Sequence, residues 1–309
     1  MAHLTAGDLA PIGAGYEVTY GTPIPVPTYY ADAKGDGGSI TIQDTPTPYL
    51  AWRSGSRSFD SKDYVAQQNI AGYSDVLEVR DAPNWANILV NACGTSNGTQ
   101  DLPGALPSRT TVIGVNGLAR HMPSGLMYAG CKTNELTIKG DAPGAVVSFE
   151  ERVMASYSQV IEMDDYTFTS PSTHAVQWVG GVTMEGGETT VYPQSFQINI
   201  KNHLERELAY DLSKGGSYTK ALPEGRREIE MEMEVWRQDL QDIIWSRGVG
   251  SWSDITLTLG TANPYRIALT DVVSMSDGQI SPLIQDKQRA TLRFRATGIS
   301  ITAVTQQSS

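Results

Sequence analysis

The side chains able to do chemistry are few and scattered. The four histidines, His3, His121, His174 and His203, include no pair four residues apart and no HExxH, so no helix-borne zinc site is readable. Cys93 and Cys131 have no CxxC partner and are too few for a disulfide framework; they are expected as two buried thiols. Neither a GxxxxGK[ST] phosphate loop nor a GxSxG nucleophile elbow is present, and Gly35-Asp-Gly-Gly38 reads as a turn. Asp164 with Asp165, or Asp271 with Asp277, would suit a metal or acid–base chemistry, yet in an acidic β-rich chain such pairs read as solvated loop residues. No catalytic constellation and no cofactor site emerges, and the expectation is a protein that is not an enzyme.

One spacing stands apart. In Arg227-Glu-Ile-Glu-Met-Glu-Met-Glu-Val-Trp236 the period is two throughout. Ile229, Met231, Met233 and Val235 point to one face of a strand, and Glu228, Glu230, Glu232 and Glu234 to the other. Two readings stay open: an ordinary solvated sheet face, or an acidic wall facing something that must not stick, such as passing DNA.

The elements that must position these residues are mostly strands. The 309 residues carry 34 Asp plus Glu against 23 Lys plus Arg, a net charge of −11, and 40% are hydrophobic, enough for a sizeable core. The acidic balance, with a pI near 4.8, argues against stable nucleic-acid binding, which needs clustered cations. No apolar run approaches the ~20 residues that span a bilayer. The first residues lack a basic segment followed by an apolar one, so no secretory signal is readable and a cytoplasmic site of folding is expected. Without an export signal, the Asn97-Gly98-Thr99 sequon carries no meaning.

Thirty Gly and 16 Pro punctuate short alternating runs, the pattern of an all-β chain. Strands are expected at Ser39–Gln43, Val76–Arg80, Thr133–Lys139, Ala145–Val153, Ala175–Val179, Ser195–Ile200, Glu228–Trp236, Ile255–Leu259, Tyr265–Thr270 and Ala290–Ala296. Pro23, Pro25 and Pro27 mark the first 30 residues as an extended arm. Two helices are expected: Asp81–Gly94, with Trp85, Ile88, Leu89 and Ala92 on one face, and Asp239–Gly248, with Leu240, Ile243 and Ile244. Each follows an extended run and precedes two more strands, and VVSFEE aligns with TLRFRA, Phe149 opposite Phe294. This order predicts a tandem duplication, residues 1–158 and 159–309, with the boundary in the polar stretch Ser156–Ser172.

Ser195-Phe-Gln-Ile-Asn-Ile-Lys-Asn-His-Leu-Glu205, followed by a variable loop and Leu222-Pro-Glu-Gly-Arg-Arg227, resembles the corresponding strand and turn of tail tube proteins from long-tailed (siphovirus-type) viruses. Tyr16-Glu-Val-Thr-Tyr-Gly-Thr22 is similar to that family's N-terminal motif, and Tyr128–Lys139 to another of its strands. Cys131, Thr133 and a long, loop-like Thr95–Arg120 depart from the pattern.

The resemblance implies a structural virion protein of the tail, assembled in the host cytoplasm: β-sandwich or barrel domains, each flanked by one short helix. Rings of it stack into a hollow tube through which the viral genome passes without specific binding. Its partners are then copies of itself, a tape-measure protein, a tail terminator and a baseplate. Single-domain relatives form six-membered rings, so a two-domain chain is expected to form a trimer with pseudo-sixfold symmetry, with a hexamer second. On this reading Glu228, Glu230, Glu232 and Glu234 line the lumen, with Glu78 on the matching first-half strand. Ring stacking would use Thr45–Gln68, including Arg57, Asp60 and Lys62, and Lys201–Ala221, including Asp211, Lys214 and Tyr218. The arm Leu4–Tyr30 and the tail Ile299–Ser309 are further candidates.

Two other classes remain. A carbohydrate-binding or glycan-active β-protein would use aromatic platforms such as Trp52, Trp178 and Trp252, although no carboxylate pair fits glycoside hydrolysis. A capsid decoration or baseplate component would use the same kind of fold.

Overall fold

Alternation of apolar and polar residues turns most of the chain into strands. The computed structural model describes residues 11–24, 29–33, 41–42, 45–50, 64–78, 82–94, 104–115, 124–162, 177–184, 189–211, 216–236, 251–259, 265–275 and 289–303. In chain order these hold β1 (Pro11–Tyr16), β2 (Tyr29–Ala33), β3 (Thr41–Ile42), β4 (Thr45–Leu50), β5 (Tyr64–Ile70), β6 (Gly72–Glu78) and α1 (Ala82–Cys93). Next come β7 (Arg109–Val115), β8 (Ser124–Gly140), β9 (Ser148–Met154), β10 (Tyr157–Glu162), β11 (Trp178–Met184), β12 (Thr189–Val191) and β13 (Ser195–Lys201). The last are β14 (Glu207–Asp211), β15 (Gly216–Ala221), β16 (Glu228–Trp236), β17 (Ser251–Leu259), β18 (Tyr265–Ser274), β19 (Arg289–Ala296) and β20 (Gly298–Ala303). The chain is all-β apart from α1 among the described residues, as its punctuation predicted. The expected second helix, Asp239–Gly248, lies outside them.

In the first half the ladders close on themselves: β6 pairs with β9, β9 with β8, β8 with β7, β7 with β1, β1 with β2, and β2 returns to β6. The result is a closed barrel, an arrangement that leaves no strand edge within it. The sequence reading of residues 11–16 as part of an arm is therefore corrected, because β1 sits between β2 and β7 inside the barrel wall. The loop expected over Thr95–Arg120 likewise contains a full strand, β7, whose β-branched run Thr110–Ile113 is buried.

The central element is β8. Its first part pairs with β7 and β10, and its second part with β9 and β13. The change of partners occurs at Gly130, which has φ 66, and an added Cβ there would lie 2.7 Å from the Ser156 Cβ. Only glycine suits both conditions. The turn after β1 is fastened to the same point, since Glu17 accepts hydrogen bonds from Gly130 N at 2.8 Å, Gly21 N at 2.9 Å and the Thr110 hydroxyl at 2.9 Å.

Eight of the nine pairings among β1–β10 recur among β11–β20 in the same order; the β2–β6 pairing that closes the first barrel has no counterpart among the described residues. β1 with β2 and β7 is repeated as β11 with β12 and β17; β8 with β7, β9 and β10 as β18 with β17, β19 and β20. β6 with β3 and β9 returns as β16 with β13 and β19, and hairpin β4–β5 as β14–β15. The β8–β13 ladder then joins the two sets into one large sheet. In this correspondence Val153, opposite Thr133, takes the place of Phe294, opposite Ser274. The sequence alignment of Phe149 with Phe294 differs from this correspondence, in which Phe149 takes the place of Ala290.

A smaller sheet, β14-β15-β5-β4, gathers strands from both of the segments expected to stack rings. One continuous core runs from Ile12 and Tyr73 through Phe149, Trp178 and Phe196 to Phe294 and Ile301. α1 ends at Gly94, φ 87, with Ile88, Leu89, Ala92 and Cys93 buried against the sheet.

Candidate functional site

Period-two patterning places one long polar face across six strands. Reading outward from β19, Arg295 lies beside Glu230, then Asn199, Thr137, Glu150 and Val76. The adjacent row runs Arg293, Glu232, Gln197, Lys139, Ser148 and Glu78. A third joins Glu228, Lys201, Glu135 and Arg152. Glu228, Glu230, Glu232 and Glu234 share this face, with Ile229, Met231, Met233 and Val235 buried behind them, and the position of Glu78 falls in the same row as Glu232. The spacing thus located the face.

Its charge is another matter. Arg293 Nε lies 2.9 Å from Glu232 Oε2, and Arg295 Nη2 lies 3.0 Å from Glu230 Oε1 and 3.5 Å from Glu228 Oε1. Lys139 Nζ meets Glu150 at 2.7 Å, and Arg152 meets Glu135 at 3.0 Å. The Thr137 hydroxyl donates to Asn199 Oδ1 at 3.0 Å, and Gln197 Nε2 to the same oxygen at 2.9 Å. The face is a mosaic in which neighbouring strands supply a cation for most carboxylates, not an unbroken acidic wall. Strand β16 alone gives no sign of that, because the compensating arginines lie some sixty residues away in sequence. Each exposed pair contributes about 0–1 kcal/mol, so the mosaic sets the character of the surface more than its stability.

The other proposed contacts divide. Asp211 closes β14 and Tyr218 stands in β15 opposite Ala209, in the small sheet. On β14, Leu208 and Tyr210 are 46% and 62% exposed, unusual for such side chains. Arg57, Asp60, Lys62 and Lys214 lie outside the described residues, as do Asp164, Asp165, Asp277 and Trp52. Trp178 is fully buried with its ring 4.9 Å from that of Phe196, edge to face, and is no glycan platform. Cys93 and Cys131 are buried free thiols as expected; burial pushes both up to about 12, so they stay protonated.

Two polar clusters escape a reading of the sequence. The first lies inside the barrel. Arg109 from β7 reaches across to Glu151 on β9 at 2.7 Å and donates to the Thr133 hydroxyl at 3.1 Å and to Tyr73 Oη at 3.3 Å. The Thr133 hydroxyl also donates to Glu151, and Tyr73 Oη donates to Thr111 Oγ1 at 3.1 Å. Asp75, buried and opposite Glu151 in register, has its carboxyl pushed well above the usual range, by burial first and by the Glu151 charge second, with Arg109 opposing. Alternation alone predicts only that these positions face inward; that Arg109 pairs with Glu151 while Asp75 lies beside them is a tertiary fact.

The second cluster fastens the halves together around Asn202. Its Nδ2 donates to Ala92 O at 2.8 Å and Thr133 O at 2.9 Å, and its Oδ1 accepts from Arg227 Nε at 3.1 Å. Lys132 Nζ and Leu106 N both donate to Glu224 Oε1, at 3.0 and 2.8 Å. Gly225 lies so close to His203 that a Cβ would come within 2.8 Å of its backbone oxygen. The Leu222–Arg227 turn singled out by resemblance therefore has a structural role, carrying Glu224 and Arg227 to the first half. Alongside, Arg206 donates to Ala155 O at 3.1 Å and Ala71 O at 2.8 Å.

Among the described residues no group of His, Cys, Asp and Glu is placed to hold a metal ion, and no helix is long and apolar enough to cross a membrane. A model of the phage tail tube protein family matches residues 7–302, nearly the whole chain. The chain belongs to that family. No curated protein matches it. A tail tube protein is a structural part of the virion tail that assembles with itself and with other tail proteins into a tube, and this role is not enzymatic.

Proposed function

We propose that this tail tube protein is built from two tandem copies of one domain, residues 1–158 and 159–309, and closes into rings of three chains with pseudo-sixfold symmetry. The recurrence in β11–β20 of eight of the nine β1–β10 pairings carries the reading. A ladder already joins one copy to the next through β8 and β13. Repeating that contact between chains gives a closed cycle, the common solution for a heterologous interface. Rings of six chains are the second reading, and one observation separates them.

The rings stack into a hollow tube, with the polar face that carries Glu228, Glu230, Glu232, Glu234 and Glu78 lining the channel. A mosaic of opposite charges presents passing DNA with no continuous field of either sign, so the duplex neither binds nor meets a steep barrier. Stacking uses the small sheet, where Leu208 and Tyr210 are exposed beside Asp211 and Tyr218. Tape-measure, terminator and baseplate proteins complete the tail assembled in the host cytoplasm, and the genome of a long-tailed virus leaves through the tube.

Negative-stain electron microscopy of concentrated protein, with end-on views, tests this reading. Hollow tubes with three chains per ring are expected. Rings holding six full chains would replace the trimer by the hexamer, and a particle fraction in which the protein sits in the capsid shell would overturn the tube.

A further inference from the structure

We infer that the surface formed by Asp271–Met275 and Thr297 in the second half docks the first half of another copy of the same chain. The inference rests on the tube reading and names the partner and the residues of the contact between chains.

The surface has a counterpart within the same molecule. Ser156 N donates to Ala129 O at 2.8 Å, and Thr297 N donates to Thr270 O at 3.2 Å. Gly130 and Asp271, the residues that follow, both have positive φ, 66 and 48. Thr133 then pairs with Val153 as Ser274 pairs with Phe294. Asp271–Met275 and Thr297 therefore occupy in the second half the places of Gly130–Asn134 and Ser156 in the first.

In the first half that surface is covered by the second. Lys132 donates to Glu224 and to Leu222 O. Asn134 O accepts from Asn202 N at 2.8 Å, and its side-chain Oδ1 accepts from Leu204 N at 2.8 Å. Ser156 O accepts from Thr219 N, and the Ser156 hydroxyl donates to Thr219 O at 2.7 Å. The places of Lys132 and Asn134 are taken in the second half by Val273 and Met275, which are 51% and 50% exposed. Two apolar side chains, two residues apart, stand open at the places where the first half makes polar contacts with the second. The Thr297 hydroxyl donates to the Asp271 carboxylate at 3.2 Å and lies 3.5 Å from Thr270 O.

The occupant follows from the same correspondence. What covers the first-half surface is β13 and the chain after it, and the first-half counterpart of β13 is β3. β3 pairs with β6 as β13 pairs with β16, and among the described residues β6 is its one ladder partner. A first half bearing a strand with a further edge to offer, and a second half with an exposed apolar step beside β18, are the two sides of a head-to-tail contact.

The test compares wild type with the V273K/M275K double variant across a concentration series, by mass photometry and end-on electron microscopy. Both side chains are half exposed, so the melting temperature of the monomeric chain is expected to stay unchanged, which circular dichroism checks. The variant is expected to need at least about tenfold more protein to form rings, the scale of losing a central interface contact. Variant rings of wild-type geometry at wild-type concentration would overturn the docking surface and leave the tube reading standing. A wild-type chain that stays monomeric throughout, while particles hold the protein elsewhere than in the tail, would overturn both.

Discussion

Burial, with the Glu151 charge beside it, raises the proton affinity of the Asp75 carboxyl. Its folded-state affinity for a proton is raised, so the stability associated with it is full below the unfolded carboxyl range, near ~4, and is lost as pH rises toward the folded value. Asp75→Asn keeps the shape and removes the titration. Denaturant melts are expected to give the variant about 1–3 kcal/mol more stability at pH 8, shrinking toward zero near pH 4. The Arg109–Glu151 pair behaves differently. Arg109→Met strands a buried carboxylate and should cost about 3–5 kcal/mol. Adding Glu151→Leu should return most of it. The second half supplies the precedent, because the register pair Asp75 and Glu151 is matched there by Met233 and Leu292, both buried. A double variant no more stable than Arg109→Met alone would show that the network does more than fill space.

At the scale of elements, β14 carries the clearest expectation. Leu208→Lys with Tyr210→Lys places charge on an exposed strand face without touching the core. Single rings that no longer stack, seen in side view, are the expected result, and tubes of ordinary length would remove the small sheet from the stacking role. Element legibility in the sequence follows patterning strength. β16 is legible to its true ends, because nine residues alternate without a break. α1 is legible from its proline, its apolar spacing and Gly94. β1 is obscured by the prolines that follow it, and β7 by the glycine- and proline-rich residues around it, so both look like loop. Neither has a strong amphipathic signature, since a strand buried on its inner face beside polar neighbours owes its position to partners distant in the chain. For the same reason the carboxylates of the polar face are legible and their arginines are not: Arg293 and Arg295 alternate on β19 as plainly as the glutamates do on β16, but only register puts them side by side.

For the whole molecule, the net charge of −11 and the nearly balanced face point to different places. The excess acid must lie chiefly away from β13, β16 and β19, so the proposed channel is less negative than composition alone suggests. Replacing Glu228, Glu230, Glu232 and Glu234 together by lysine would leave Arg293 and Arg295 among new cations and turn the mosaic into a basic strip. Tubes are expected to persist, because the pairs are exposed, while genome release in an ejection assay slows or stops as DNA is held electrostatically. Unchanged release from intact tubes would move the face away from the channel.

The β8–β13 ladder has a further consequence. Because both strands belong to one chain, their pairing is first order: it occurs at the same rate however dilute the protein, and tethering keeps the local concentration of each half high around the other. Dilution therefore cannot part these two halves. An assembly of this chain comes apart in units of a whole chain, and any intermediate on the way in or out carries that seam already formed.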